Sequence, residues 1–139
     1  MRILIVEDDE ALLDLLVTVF QLLHHQVVGV GTAVAAEEQL ERGEVEVLLT
    51  DGNLPRVAGS PPGLYGPELL RIAERLGIPA VLLSGDKDLV DDLHRQGYQA
   101  FLKGVLDFDA IAAVLEEAEE RTRLIEEWGD IPPGTDLRP

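Results

Sequence analysis

The 139-residue chain has no cysteine, which excludes disulfides, thiolate nucleophiles and Cys-based zinc sites and fits a reducing compartment. Aromatics are scarce: one Trp, two Tyr and three Phe. A core must therefore be built from Leu, Val, Ile and Ala. Cations are few as well. Eleven Lys and Arg stand against 27 Asp and Glu, for a formal net charge of −16. Such a surface repels phosphate backbones and anionic lipid, which argues against nucleic-acid and membrane binding. No run approaches the ~20 apolar residues of a membrane span. The apolar start, Met1 to Val6, is stopped by four acids, Glu7 to Glu10, which a secretory signal does not tolerate. The expectation is a cytoplasmic protein.

What is present is an alternation of short apolar runs with longer amphipathic ones. The length suits one domain with a real core and is short of two. Residues 1–128 carry the periodicity; 129–139 form a tail rich in Pro and Gly. The first strand, about 2–6, is apolar throughout and reads as central in a sheet. A helix follows from Asp9 or Glu10 to His24, with Leu12, Leu16, Phe20 and Leu23 on one stripe. The adjacent His24 and His25 suit the negative end of that helix and cannot both face one metal from a regular helix.

A second strand is expected at 27–30 and a short helix at 33–42. An apolar run from Val45 to Thr50 ends in Asp51. After the irregular stretch 52–66, a helix opens at Pro67 as its first residue and stops at Gly77. A strand at 80–83, a polar helix at 87–96 and a short strand at 99–102 follow. The last helix starts near Asp107. Phe108, Ile111, Leu115, Ala118 and Ile125 trace its buried stripe, Trp128 caps it, and Glu117–Arg121 and Glu119–Arg123 are spaced as i,i+4 ion pairs. Five strands alternating with five helices predict an α/β, flavodoxin-like doubly wound five-stranded parallel sheet, with strand order 2-1-3-4-5.

In such a sheet ligands sit outside the carboxyl ends of the strands, where strand order reverses. Four strand ends carry chemistry. The first runs into Glu7 and Asp8, the third ends in Asp51, the fourth in Ser84 and the last in Lys103. A carboxylate ending a buried strand is awkward unless a cation or a reaction needs it there. Clustered carboxylates repel unless a cation joins them. Mg²⁺ is the natural one, held by Glu7, Asp8 and Asp51, with the Asn53 backbone carbonyl as a further ligand. Asp51 can then attack phosphorus as a carboxylate nucleophile, while Lys103 and Ser84 neutralise and hydrogen-bond the transferred oxygens. Each residue alone has a plainer reading. Glu7 and Asp8 can start a helix, Asp51 can end a strand at a turn, Ser84 can be a turn hydroxyl and Lys103 a solvated lysine.

Taken together, in order and each at a strand end, these residues resemble the receiver domain of the two-component response regulator family, over roughly residues 1–125. The family's acidic pair matches Glu7 and Asp8, its phosphoacceptor Asp51, its hydroxyl residue Ser84 and its lysine Lys103. Asp51-Gly52-Asn53-Leu54-Pro55 resembles its Asp-x-x-x-Pro turn. The resemblance implies a phosphoprotein of signal transduction that takes a phosphoryl group on Asp51 from a histidine kinase or phosphotransfer protein. The reaction depends on Mg²⁺, and the protein is a phosphoacceptor rather than an enzyme beyond self-dephosphorylation. Asn53 and Asp86 match positions that tune dephosphorylation in the family.

The chain departs from the family in two places. Gly104 replaces the usual Pro after the lysine, and Ala100 stands where a switch aromatic normally lies; Phe101 and Tyr98 are its nearest substitutes, with Phe101 expected on the opposite face. The loop from Arg56 to Tyr65 is about six or seven residues longer than the family turn, a change that costs little by itself. The leading expectation is a receiver signalling through protein–protein contact, with no DNA-binding output module in this chain and with a homodimer left open. One alternative is an atypical receiver acting as a phosphorylation-independent interaction module. The other is a Mg²⁺-dependent phosphohydrolase.

Overall fold

The computed structural model describes residues 1–103 and 108–128. The elements are β1 (Arg2–Val6), α1 (Glu10–Leu22), β2 (Gln26–Val30), α2 (Ala33–Glu41), β3 (Val47–Asp51), β4 (Leu54–Pro55), β5 (Pro62–Gly63), α3 (Gly66–Arg75), β6 (Ala80–Ser84), α4 (Lys87–Arg95), β7 (Gln99–Leu102) and α5 (Phe108–Trp128). The main sheet has the order β2-β1-β3-β6-β7, and every pair in it is parallel. Counting its strands alone, this is the expected 2-1-3-4-5. The other two strands form a small antiparallel hairpin, Leu54 opposite Gly63 and Pro55 opposite Pro62.

Strand alternation divides the core between the two faces. Ile3 and Ile5, with Val47, Leu49, Val81 and Leu83, meet Leu16 and Phe20 of α1 and Ile111, Leu115 and Ala118 of α5. Leu4, Val6 and Leu48 point the other way, onto Ala36 and Leu40 of α2 and Leu69 and Ala73 of α3. A third cluster, Leu70, Leu82, Val90, Leu93 and Ala100, seats α4 beside α3. Full burial of each such Leu, Ile or Val contributes roughly 1.5–3 kcal/mol.

Register then fixes the site. Val6 lies opposite both Val30 and Thr50, Asp51 opposite Leu83, and Ser84 opposite Leu102. The residues that end β1, β3, β6 and β7 are thereby brought to one edge.

Several local expectations are corrected. The first helix ends at Leu22, two residues early, because His24 takes a left-handed φ of 68°. That conformation, usually taken by Gly, ends the helix and turns the chain into β2. Leu23, on the expected stripe, is consequently 56 % exposed. The second strand begins at Gln26, the third at Val47 rather than Val45, and the third helix at Gly66, leaving Pro67 second in the helix. Ile125 is 38 % exposed. α5 has 21 residues, so it runs ~31 Å, against ~17 Å for a five-residue strand, and its last turns pass the end of the sheet. Arg123 pairs with Glu120 and Glu127 rather than Glu119. Asp107, Gly104 and the tail 129–139 lie outside the described residues, as do the side chains of Phe108, Arg121 and Trp128.

The 52–66 stretch, expected to be irregular, is anchored at both ends. Leu54 is fully buried among Leu4, Val6, Leu48 and Leu69, and the Arg56 carbonyl accepts from Val34 N–H at the start of α2 (3.0 Å). Ser60 Oγ closes the tip onto Val57. The two-residue strands carry prolines at the paired positions, which is why their sequence reads as loop.

Candidate functional site

The site is built from four backbone ends. Glu7 N–H donates to the Val30 carbonyl (3.0 Å), which extends the β1–β2 ladder by one residue and holds Glu7 at the sheet edge. Asp9 then caps α1, its carboxylate accepting from Ala11 and Leu12 N–H. Capping by Asp9 leaves Glu7 and Asp8 free of that task. Gly52 N–H donates to the Leu83 carbonyl and Lys103 N–H to the Ser84 carbonyl, so β3, β6 and β7 remain laddered up to the site. Thr50 Oγ1 donates to the Asp51 carbonyl (3.0 Å).

Gly66 closes the floor. Its N–H donates to the Gly52 carbonyl (3.1 Å), and a Cβ there would stand 2.2 Å from the Asp51 carbonyl oxygen and 2.7 Å from Gly52 Cα. Only glycine permits this approach of α3 to the end of β3.

Glu7 and Asp51 are buried, at 3 % and 7 % exposure, while Asp8 faces solvent. One carboxylate oxygen from each of Glu7, Asp8 and Asp51 lies within 4.8 Å of the other two. Lys103 Nζ reaches across from β7 and donates to Glu7 Oε1 and Asp51 Oδ2, both at 2.9 Å. Asn53 N–H approaches Asp51 Oδ1 at 3.4 Å. Ser84 Oγ accepts from Asp86 N–H (3.0 Å), which occupies a lone pair and leaves the hydroxyl proton available as a donor. Among the described residues no buried side-chain N or O lacks a partner.

The electrostatics follow from this crowding. Burial raises the Glu7 pKa from 4.5 to about 7; the Lys103 hydrogen bond opposes the rise, and the Asp51 charge adds to it. For Lys103, burial alone would lower the pKa, but the hydrogen bonds to Asp51 and Glu7 outweigh it and hold the ammonium above its ordinary value. A single cation serves two buried carboxylates, which leaves the pocket short of positive charge. Three carboxylates are hard oxygen donors, and they fit Mg²⁺ rather than a metal that prefers nitrogen or sulfur.

The sequence-predicted residues are thus brought together: Glu7, Asp8, Asp51 and Lys103 in direct reach, with Asn53 and Ser84 bordering them. Among the described residues this is the group of acidic and imidazole side chains placed to hold a metal, and His24 and His25 are not in it. The His25 ring instead tilts against Phe20, with centroids 6.4 Å apart. At the switch position, Ala100 is fully buried beside Leu70 and Leu82, and Phe101 packs on the opposite face, as strand alternation requires. Tyr98 donates its hydroxyl to Glu74 of α3, and His94 Nε2–H donates to the Ala100 carbonyl (2.6 Å). One neighbour escaped the sequence reading. Leu89 of α4 lies so close over Gly52 that a Cβ there would be 2.9 Å from its Cδ2. The signal available was Gly52 itself, a residue with no side chain inside a packed site.

An acidic cluster, a strand-end lysine and a strand-end hydroxyl thus meet at the switch point of a doubly wound sheet, where such sheets place their ligands. The response regulator receiver domain model matches residues 3–116, and the chain belongs to that family. Solved structures share the fold. The BeF3-activated N-terminal receiver domain of RstA from Klebsiella pneumoniae is 25 % identical, with a TM-score of 0.65 over 85 % of this chain and 98 % of that one. The signal receiver domain of an HD domain-containing protein from Pseudomonas fluorescens is also 25 % identical, with a TM-score of 0.67 over 88 % and 96 %. Response regulator protein TrrA from Thermotoga maritima, solved in complex with Mg(2+)-BeF, is 18 % identical with a TM-score of 0.66 over 84 % and 97 %. No protein of curated function matches the chain. No helix among the described residues is long and apolar enough to cross a membrane.

Proposed function

We propose that Asp51 is the phosphoacceptor of a receiver domain that takes a phosphoryl group from a histidine kinase or phosphotransfer protein and signals by protein–protein contact. The observation that carries this is the placement of Lys103 Nζ at 2.9 Å from both Glu7 and Asp51, beside carboxylates spaced to share a cation. Asp51 Oδ forms the new bond to phosphorus as the P–N bond to the donor imidazole breaks, and the imidazole leaves with a proton taken from solvent. Lys103 has three ammonium hydrogens, two of them committed to Glu7 and Asp51; the third is free for a phosphoryl oxygen. The Ser84 hydroxyl proton serves another. Glu7, Asp8, Asp51 and the Asn53 carbonyl would hold Mg²⁺, which when bound would supply the charge neutralisation that the pocket lacks. Burial of Glu7 and Asp51 keeps competing water from these groups and strengthens each contact.

Phosphoryl transfer by this route makes the protein an acceptor, with self-hydrolysis as its only turnover. Residues 1–128 are the receiver unit, and the working location we assign is the cytoplasm. Binding of beryllofluoride, a phosphoryl mimic, is followed by ¹⁹F resonance. Mg²⁺-dependent binding that is lost in Asp51→Asn and weakened in Asp8→Asn supports the assignment; binding that needs no Mg²⁺ overturns it. One observation favours a second reading, the phosphorylation-independent module: Ala100 is a buried methyl with no aromatic to rotate. In that case the mimic fails to bind, and the domain's partner contacts are the same with and without it.

A further inference from the structure

Every residue of β3 is buried, and Thr50 puts a hydroxyl into the otherwise apolar run before Asp51. At 1 % exposure that hydroxyl is costly unless it is hydrogen-bonded. Its partner is the neighbouring backbone: Thr50 Oγ1 donates to the Asp51 carbonyl at 3.0 Å. The bond completes a set of four. The Asp51–Gly52 peptide is held at both ends, its carbonyl by Thr50 and its N–H by the Leu83 carbonyl (3.1 Å). The next peptide is held likewise, its Gly52 carbonyl by Gly66 N–H (3.1 Å) and its Asn53 N–H by Asp51 Oδ1 (3.4 Å). A peptide is planar, so holding both ends fixes its plane. Leu54 is fully buried just beyond, and the Asn53 carbonyl therefore lies between a pinned peptide and an anchored side chain.

We infer that Thr50 is a positioning residue for the metal side of the site, a role that rests on the reading of Asp51 and Asn53 as Mg²⁺ ligands. Its hydroxyl orients the Asp51–Gly52 peptide and, through it, the Asp51 carboxylate and the Asn53 carbonyl. Three of the four bonds come from backbone groups or from Asp51 itself. The hydroxyl is the one that a substitution removes without touching a ligand. A Gly66 Cβ would stand 2.2 Å from the Asp51 carbonyl oxygen, so α3 closes over the acceptor. Valine at position 50 fills the space of threonine and lets in no water to replace the hydroxyl. A buried carbonyl left unpaired favours rotation of its peptide toward another donor. The carboxylate on the same residue and the carbonyl two residues on then turn with it. Mg²⁺ demands near-ideal octahedral geometry, so misdirected ligands cost it affinity.

The experiment uses the full chain, with Thr50→Val, which removes the hydroxyl, beside Thr50→Ser, which keeps it. Mg²⁺ alone is titrated and followed by the backbone amide resonances of Asp51, Gly52 and Asn53. Thr50→Val is expected to bind Mg²⁺ about tenfold more weakly than wild type, and Thr50→Ser within about threefold of it. Binding by Thr50→Val within about threefold of wild type overturns the inference. Thr50→Ser as weak as Thr50→Val overturns it too, since the effect would then belong to the methyl. A metal-free arm separates these failures from failure of the metal reading. In metal-free Thr50→Val the ¹³C′ resonance of Asp51 is expected to move upfield, the sign of a lost hydrogen bond, and the amides of Gly52 and Asn53 to shift with it. An unmoved Asp51 carbonyl refutes the inference, whether or not the wild type binds Mg²⁺. A wild type that binds no Mg²⁺, while the carbonyl still moves in Thr50→Val, overturns the metal reading on which the inference depends.

Discussion

Replacing Glu7 by Gln isolates the cost of keeping a charge in this pocket. Burial raises the Glu7 pKa from 4.5 to about 7, against the Lys103 hydrogen bond and with the Asp51 charge. A carboxyl that keeps its proton longer in the folded than in the unfolded chain adds stability fully present below pH 4.5 and lost as pH rises through about 7. At 1.36 kcal/mol per tenfold change, the interval is worth about 3 kcal/mol at most. Glu7 shares the Lys103 ammonium with Asp51, so part of this belongs to the pair, and about 2 kcal/mol is expected for Glu7 itself. Urea unfolding in EDTA from about pH 5 to about pH 8 measures it. The metal-free wild type should lose about 2 kcal/mol more than Glu7→Gln over that range, because Gln has no proton to release. Mg²⁺ at a hundredfold excess over its Kd should then return about 2.7 kcal/mol to the wild type and much less to the variant. Parallel pH curves for the two proteins refute the reasoning.

Three further substitutions test the geometry. Lys103→Met leaves Glu7 and Asp51 facing each other without their cation; with the lysine about a quarter exposed, 26 % for its side chain, metal-free stability should fall by about 1–3 kcal/mol. Adding Mg²⁺ should recover part of that loss, as read by thermal unfolding. Gly66→Ala forces a Cβ onto the Asp51 carbonyl and should cost about 1–3 kcal/mol while disturbing amides at 51–53. Leu54→Ala empties a fully buried position beneath the hairpin and should cost about 2–5 kcal/mol in urea unfolding; a loss under about 0.5 kcal/mol would show that the hairpin is not anchored there.

The main sheet and the strand-end residues of the site were legible in the sequence for one reason. β1, β3, β6 and β7 are each a mostly apolar run that ends at a polar group, so strand ends and site residues are the same positions: Glu7 after Val6, Asp51 after Thr50, Ser84 after Leu83, Lys103 after Leu102. What was not legible depends on contacts between distant residues. The β4–β5 hairpin is two residues against two, with proline at the paired positions, and it exists because Leu54 finds a core and the Arg56 carbonyl finds Val34. The early end of α1 turns on a left-handed histidine, a conformation that residue type does not announce. Leu23 and Ile125 kept the right period and still ended exposed, since period says which side of a helix faces the core and not where the core stops. The closeness of Leu89 to Gly52 depends on where α4 lands beside the sheet, which local sequence does not state.

Asp51 is the expected destination of the phosphoryl group. The most direct measurement is to treat the protein with a small-molecule phosphodonor and Mg²⁺, reduce the product with borohydride and map its peptides. An acyl phosphate on Asp51 is converted to homoserine, so homoserine is expected at position 51, dependent on both Mg²⁺ and the donor. Modification at another carboxylate such as Asp8, or none at all while beryllofluoride also fails to bind, would contradict it.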